Sequence, residues 1–215
     1  MKAKVIVPNS LNEITLGQYQ KFLKIQENNE DEKFLAVKMI EIFCGIRADL
    51  VMKMKASSIR DITSVLGEMF EQKPSLVKEF KMNGINYGFI PHLEDMSFGE
   101  YVDLDTYISD TSNLHRAMAV LYRPIVQRYS NKYLIEEYKG DNSEKMLDMP
   151  MDAVLSSMLF FYHLGMDLSQ AMMSYLQEEE MHLVQQQILG ENGDGINQFS
   201  ASLKEILEDL RISLN

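Results

Sequence analysis

Apolar residues recur every three or four positions through most of this chain, a spacing that places them on one face of an α-helix. Ser, Thr and Asp residues precede several of these runs, as expected of helix N-caps, and Pro or Gly follows several of them. The sequence therefore predicts a protein built mainly of helices. Helices are predicted to begin at Thr15, Asp31, Ser57 or Ser58, Ser97, Ser112, Pro150, Asp167 or Ser169, and near Phe199, with a short turn or helix at 48–52.

A second pattern, alternation of apolar and polar residues, is clearest at residues 78–90, KEFKMNGINYGFI. Asn83 and Gly84 lie between the two alternating halves and favour the positive φ angles of a two-residue turn, so we expect a β-hairpin. Residues 2–7 predict a short strand, and residues 125–138 fit either a strand or an irregular edge. The predicted fold class is mainly α, a multi-helix globular fold with a small antiparallel β-hairpin.

The domain organisation follows from the even distribution of these patterns over 215 residues. No Pro-, Gly- or Ser-rich linker divides the chain, so we predict a single domain over residues 1–215. The alternative is a subdivision near the hairpin, with N-terminal helices and the hairpin in residues 1–92 and a C-terminal helical part in residues 93–215.

Two of the predicted helix starts share one sequence pattern: apolar, Ser/Thr, apolar, Gly, Glu/Gln, Tyr. It occurs as ITLGQY from residue 14 and as MSFGEY from residue 96. Thr15 with Gln18, and Ser97 with Glu100, have the spacing of a capping box. Each pattern also holds a helix glycine, which costs about 1 kcal/mol relative to alanine. Either the same capping solution arose twice, or both helices dock in the same way and their glycines admit a neighbouring backbone.

The helix that begins at Ser97 is predicted to present an apolar stripe to the rest of the protein. Tyr101, Leu104, Tyr107 and Ile108 form this stripe, and the next helix, ending at Pro124, is its predicted partner. Arg123 precedes that proline. We expect its guanidinium to bind the last carbonyl groups of the helix or to form a buried ion pair with Glu100 or Asp103.

Charge and composition indicate which classes of molecule this protein is expected to bind. The chain has 21 Lys and Arg against 32 Asp and Glu, a net charge of −11, which repels phosphate backbones, so we do not expect nucleic-acid binding. No apolar run reaches the length of a membrane span, so no membrane association is predicted. Its only cysteine, Cys44, excludes an internal disulfide. Sixteen methionines indicate adaptable apolar surfaces, in the core or at protein contacts.

Candidate catalytic and metal-binding residues are few. Glu179 and His182 have the Glu-x-x-His spacing of di-iron helical bundles, but those sites need a second copy and further carboxylates. Cys44 lies in an apolar helix and is interpreted as a structural thiol, and His163 as a packed histidine. Asp103 and Asp105 fall on different helix faces. We therefore predict no catalytic residues, no metal site and no cofactor, and a protein that is not an enzyme.

Four segments carry a resemblance to a known group: ITLGQYQKF, GINYGFIPHL, SFGEYVDLDTYI and LHRAMAVLYRPI. Read together, they resemble proteins encoded in the structural gene clusters of tailed bacteriophages, crAss-like phages among them. The resemblance spans residues 10–125. It implies a structural role and carries no set of catalytic residues.

That resemblance implies a virion component, made in the host cytoplasm, that contacts other phage structural proteins in the head-to-tail connector or the tail. Such a component is expected to form a homo-oligomer or ring. A tail-assembly chaperone, which would bind an extended partner segment and be absent from finished particles, is the first alternative. A metal-binding helical enzyme using Glu179 and His182 is the second.

Overall fold

Seven α-helices dominate the part of the chain that the structure, a computed structural model, describes: residues 5–130, 132–140 and 143–178, with only the backbone at residue 169 and at residues 171–178. A mainly helical fold was therefore predicted correctly. The helices are α1 (Leu16–Gln26), α2 (Glu32–Cys44), α3 (Ala48–Val51), α4 (Ala56–Phe70), α5 (Phe98–Ile108), α6 (Leu114–Leu121) and α7 (Met151–Glu178).

Aromatic side chains hold the N-terminal helices together. The Phe43 ring of α2 lies 5.4 Å from that of Phe22 in α1 and 5.3 Å from that of Phe70 in α4, with tilted planes. Tyr19 also contacts Phe70, at 5.3 Å. Tilted aromatic pairs at these separations stabilise a core beyond the area that they bury. Gly45 ends α2 in the left-handed conformation, at φ 66°, as expected of a residue after a helix.

A four-stranded antiparallel sheet is built from two pairs of strands, one that follows α4 along the chain and one that follows α6. The predicted hairpin forms its first half, and Asn83 and Gly84 have φ angles of 49° and 81° in the turn, as predicted. The second half is formed by residues 122–124, which we predicted as the end of a helix, and by residues after Pro124, for which the sequence fitted either a strand or an irregular edge. The strands, in the order in which they pair in the sheet, are β1 (Glu79–Met82), β2 (Ile85–Phe89), β3 (Tyr122–Tyr129) and β4 (Lys132–Ile135).

Pro124 does not end a helix, so that prediction was wrong. Helix α6 ends at Leu121, and Arg123 and Pro124 lie in β3. The β2–β3 pairing extends as far as Tyr87 opposite Pro124, and the β3–β4 register begins at Ile125. Proline has no N–H to contribute to a sheet, and here it lies where β3 passes from one partner strand to the other.

Three further predictions about element boundaries need correction. Ser112 lies inside a 3-10 turn, Thr111–Asn113, where Asp110 accepts its backbone N–H, and α6 begins after this turn. Helix α4 begins at Ala56, before either serine proposed as its cap. Helix α7 continues without a break through Gly165, where we expected an end. Residues 5–7 form no strand, and the helix predicted near Phe199 lies outside the described residues.

One hydrophobic core joins residues from most of these elements, from Leu11 near the N-terminus to Phe161 in α7. Strand β2 precedes residue 92 and β3 follows it, so the sheet crosses the position at which a subdivision was considered. The single domain over residues 1–215 stays a prediction, since residues 179–215 lie outside the described part.

Candidate interaction surface at helix α5

Helix α5 begins with the capping box that the sequence predicts. The Ser97 hydroxyl accepts the backbone N–H of Glu100 at 3.3 Å, and Glu100 Oε2 accepts the backbone N–H of Ser97 at 2.7 Å. Two first-turn N–H groups thereby gain acceptors, which fixes where the helix starts.

The other carboxylate oxygen of Glu100 binds Arg123, one of the two ion pairs that the sequence suggested. Arg123 Nη2 lies 2.8 Å from Glu100 Oε1, and the side chains are only 12% and 9% exposed. Burial raises the pKa of Glu100, but the hydrogen bonds with Ser97 and the charge of Arg123 outweigh it and leave this pKa below its ordinary value. Glu100 is therefore a charged anchor between α5 and β3.

Asp103, the other acid considered for Arg123, has a different partner. The Tyr138 hydroxyl donates a hydrogen bond to Asp103 Oδ2 at 2.7 Å, and burial together with this carboxylate raises the tyrosine's pKa. The Arg123 guanidinium lies 6.0 Å from the centre of the Tyr138 ring. These contacts fasten the inner side of α5 to β3 and to the segment after β4.

An open cleft of about 1230 Å³ lies beside this cluster, between the start of α5 and the edge strand β4. Its walls are mixed. Tyr129 and Leu134 are about half exposed there, and exposed carboxylates outnumber exposed amines. The charged residues lining the cleft, besides Glu100 and Arg123, are Glu94, Asp95, Glu136, Glu137, Lys78 and Lys132.

The outer side of α5 carries a second set of apolar residues, which we call the α5 face: Phe98, Tyr101 and Val102. They are 81%, 57% and 42% exposed, whereas Leu104 and Ile108 on the inner side are almost fully buried. Residues spaced i, i+3 and i+4 are neighbours on a helix surface. The prediction that Tyr101 belongs to the inward stripe was therefore wrong.

The α5 face was missed at the sequence level, although a signal for it exists. Apolar residues occupy six of the eleven positions of α5, which is more than one buried stripe requires. Tyr101 lies three positions from Phe98 and also three from Leu104, so the spacing alone did not decide which stripe it joins.

The start of α1 repeats the arrangement in a buried setting. Thr15 and Gln18 form the same capping box. Leu16 is 0% and Tyr19 5% exposed, where the corresponding Phe98 and Tyr101 are mostly exposed. The segment that precedes α7 covers this start: Met149 accepts the Leu16 N–H at 2.8 Å, and Ile14 accepts the Met151 N–H at 2.9 Å.

The two glycines of the repeated pattern also differ in whether another segment packs against them. A Cβ at Gly17 would lie 3.1 Å from the carbonyl oxygen of Leu147 and 3.3 Å from its Cβ, so this glycine admits the covering segment. Gly99 has no described atom within 4 Å of the corresponding position. The expectation that both glycines admit a neighbouring backbone holds for Gly17 and fails for Gly99 within the described part of the chain.

The remaining candidates for chemistry lie elsewhere. Cys44 is half-buried, and burial raises the pKa of its thiol, as expected for a structural cysteine. His163 is exposed beside the Tyr162 ring, so its interpretation as a packed histidine was wrong. Glu179 and His182 lie outside the described residues. Within residues 5–130, 132–140 and 143–178, no three His, Cys, Asp or Glu side chains are grouped to hold a metal ion.

The described helices were compared with the length and apolar character of a membrane-spanning helix. Among the helices described, none combines the length and the apolar character that crossing a bilayer requires.

Comparisons of this chain with protein-family models, with curated proteins and with solved structures found no match.

Proposed function

We propose that this chain is a non-enzymatic structural protein of a tailed bacteriophage, made in the host cytoplasm, which makes protein–protein contacts in the virion. Its place would be the head-to-tail connector or the tail, and its partners would be other phage structural proteins and further copies of itself in an oligomer or ring. The proposal has two supports of different kinds.

The α5 face is the observation that carries the protein-contact role. Three large apolar side chains stand together on the outside of a helix whose inner side is fixed by a buried ion pair. Single exposed apolar residues are ordinary, but a contiguous exposed group marks a surface that another molecule covers. Because the helix beneath is held rigidly, the face is preformed for binding.

The resemblance to proteins of phage structural gene clusters supports the placement in a virion. Three of the four segments that carry it lie in or beside the elements of this surface: GINYGFIPHL in β2, SFGEYVDLDTYI in α5 and LHRAMAVLYRPI in α6 and β3. The fourth contains the start of α1. This support is a likeness between sequences, and it identifies no reaction.

The test is quantitative mass spectrometry of purified phage particles, combined with sizing of the isolated protein. We expect the chain in particles at a fixed stoichiometry relative to the portal or tail proteins. Its absence from particles purified free of lysate would overturn the virion assignment.

A tail-assembly chaperone is the second candidate, and the cleft favours it. Strand β4 is at the edge of the sheet beside the cleft, where an extended segment of another protein can add as a further strand. A chaperone would be abundant in infected cells and missing from particles. It would bind peptides from a tail protein in the cleft, so Leu134→Lys would abolish that binding.

A further inference from the structure

The buried start of α1 shows what covers this sequence pattern when it is covered. Residues 146–151 lie across it, backbone against backbone, and contribute Met146, Met149 and Met151, each at most 2% exposed. Gly17 makes room for the carbonyl oxygen of Leu147. An apolar, methionine-rich segment is therefore the kind of occupant that the pattern accommodates.

The charge around the α5 face decides which kind of segment suits it. Residues 91–113 contain six acidic residues and neither lysine nor arginine. A second α5 face would bring like charges together, which disfavours a symmetric contact between two such faces. The occupant must combine apolar side chains with positive charge. Two of the six, Glu100 and Asp103, are already bound on the inner side of α5 by Arg123 and Tyr138. The exposed acids available to a partner are Glu94, Asp95 and Asp105.

The chain itself exposes such a segment at residues 47–55, RADLVMKMK, which we call the α3 segment. Leu50 and Met52 are 49% and 71% exposed, although Val51 between them is fully buried and holds the segment in place. Arg47, Lys53 and Lys55 are all exposed, and the segment contains one acid, Asp49, which pairs with Arg47 at 3.0 Å.

We propose that the α5 face of one copy binds the α3 segment of a second copy. Apolar Leu50 and Met52 would cover Phe98, Tyr101 and Val102, while Lys53 and Lys55 would face the surrounding carboxylates. The two surfaces share no residue, so each copy offers one of each. Two copies can exchange both contacts in a two-fold dimer, or a head-to-tail series of copies can close into a ring or continue as a filament. This inference rests on the proposed function, for which it names a partner and a surface.

The experiment uses two full-length variants that are each defective on one side of the contact. Phe98→Ser with Tyr101→Ser removes the α5 face, and Lys53→Glu with Lys55→Glu reverses the α3 segment. All four side chains are exposed, so both variants should keep the wild-type circular dichroism spectrum. In sedimentation velocity we expect wild type to form multimers that weaken as salt is raised, and each variant alone to be a monomer.

Mixing the two variants gives a test that misfolding cannot mimic. The α5 variant retains an intact α3 segment and the α3 variant an intact α5 face, so one good contact remains and the mixture should form a dimer that grows no further. Matched controls are Lys21→Glu with Lys24→Glu, two exposed lysines of α1, and Val126→Ser, an exposed apolar residue of β3. Both controls should form multimers like wild type.

Several results would overturn the proposal: a monomeric wild type at about 100 µM, where contacts with a Kd well below millimolar are populated; multimers of either single-sided variant; or a mixture without dimers. Binding of a different protein to the α5 face of a chain that stays monomeric would also overturn it. Presence in particles with no self-association would sink this inference alone, whereas self-association with absence from particles would sink only the virion assignment.

Discussion

Leu16 and Phe98 occupy the same position in two copies of one pattern, directly after the N-cap of α1 and of α5. The capping boxes match: Thr15 with Gln18 in one, Ser97 with Glu100 in the other. Yet Leu16 is 0% exposed and Phe98 81%. The local pattern fixes how the helix begins, and a distant segment decides whether its outer side is buried. In α1 the segment comes from 130 residues away in the same chain.

The fifth position of the pattern, Gln18 in α1 and Glu100 in α5, is a second difference between the two helix starts. Gln18 donates from Nε2 to the Ile42 carbonyl oxygen at 2.9 Å, so α1 is joined to α2 by a neutral contact. Glu100 binds Arg123, so α5 is joined to β3 by a charged one. A buried charge pair is costly to break because the remaining partner stays desolvated. The two starts should therefore respond differently to mutation and to pH.

The largest expected contrast is between Leu16→Ala and Phe98→Ala. Leu16→Ala leaves a cavity beneath the covering segment and should lower the free energy of unfolding by about 2.7–5 kcal/mol. Phe98→Ala removes an exposed ring and should change it by less than about 0.5 kcal/mol. Urea unfolding at a concentration where the protein is monomeric measures both. Equal losses would show that the α5 face is covered within the chain.

Breaking the ion pair should have the next largest effect. Arg123→Ala leaves the Glu100 carboxylate buried without its cation and should destabilise the fold by about 3 kcal/mol. Arg128→Ala is the matched control, because Arg128 pairs with Glu79 on the exposed surface, where such pairs contribute about 0–1 kcal/mol. Melting temperatures report the difference, and an unchanged value for Arg123→Ala would refute the anchoring role of the pair.

The pH dependence of stability distinguishes the two capping boxes. The pKa of Glu100 is lower in the folded than in the unfolded chain, so its contribution is complete above the ordinary carboxyl pKa of 4.5 and is lost as the pH falls below it. Glu100→Gln makes the box like that of α1 and should cost about 1–3 kcal/mol at pH 6. Unfolding experiments at pH 6 and pH 3 should show this gap narrowing; a constant gap would contradict the assignment.

The features predicted correctly from the sequence are those decided by residues close together along the chain. Both capping boxes span three residues, and the turn at Asn83 and Gly84 follows from the conformational freedom of those two residues. The predicted helix ends at Gly165 and Pro124 were wrong because each rested on a local signal that tertiary structure overrides. The cost of a buried glycine within α7, about 1 kcal/mol, is small beside the packing of a long helix, and Pro124 lies where β3 changes partner.

The α5 face was harder to predict from the sequence. Its exposure depends on whether a segment distant in the chain packs against it, and the residues of α5 do not encode that. The sequence left two acids open as the partner of Arg123, and Glu100 is the one that it binds, although Arg123 lies in a strand and not at the end of a helix. To predict the α5 face, one would have had to know that Tyr101 is more than half exposed although Leu104 and Ile108 are buried. The difference between the two copies of the pattern became visible only when the structure showed the start of α1 buried and the start of α5 exposed.

The smallest expected change in the free energy of unfolding comes from replacing each glycine of the pattern by alanine. These substitutions test most directly whether another segment packs against the start of each helix. Gly17→Ala places a Cβ 3.1 Å from the Leu147 carbonyl oxygen, and because that atom is backbone and cannot move aside freely, the substitution should destabilise the fold by about 1 kcal/mol. Gly99→Ala meets open space and should stabilise the isolated protein by up to about 1 kcal/mol through helix propensity. Urea titrations of the two variants measure these changes in the free energy of unfolding, which should have opposite signs.

Destabilisation by both substitutions would mean that α5, like α1, already has a neighbour against its glycine. If Gly99→Ala stabilises the monomer but weakens self-association, the methyl group obstructs a partner that approaches α5 as Leu147 approaches α1.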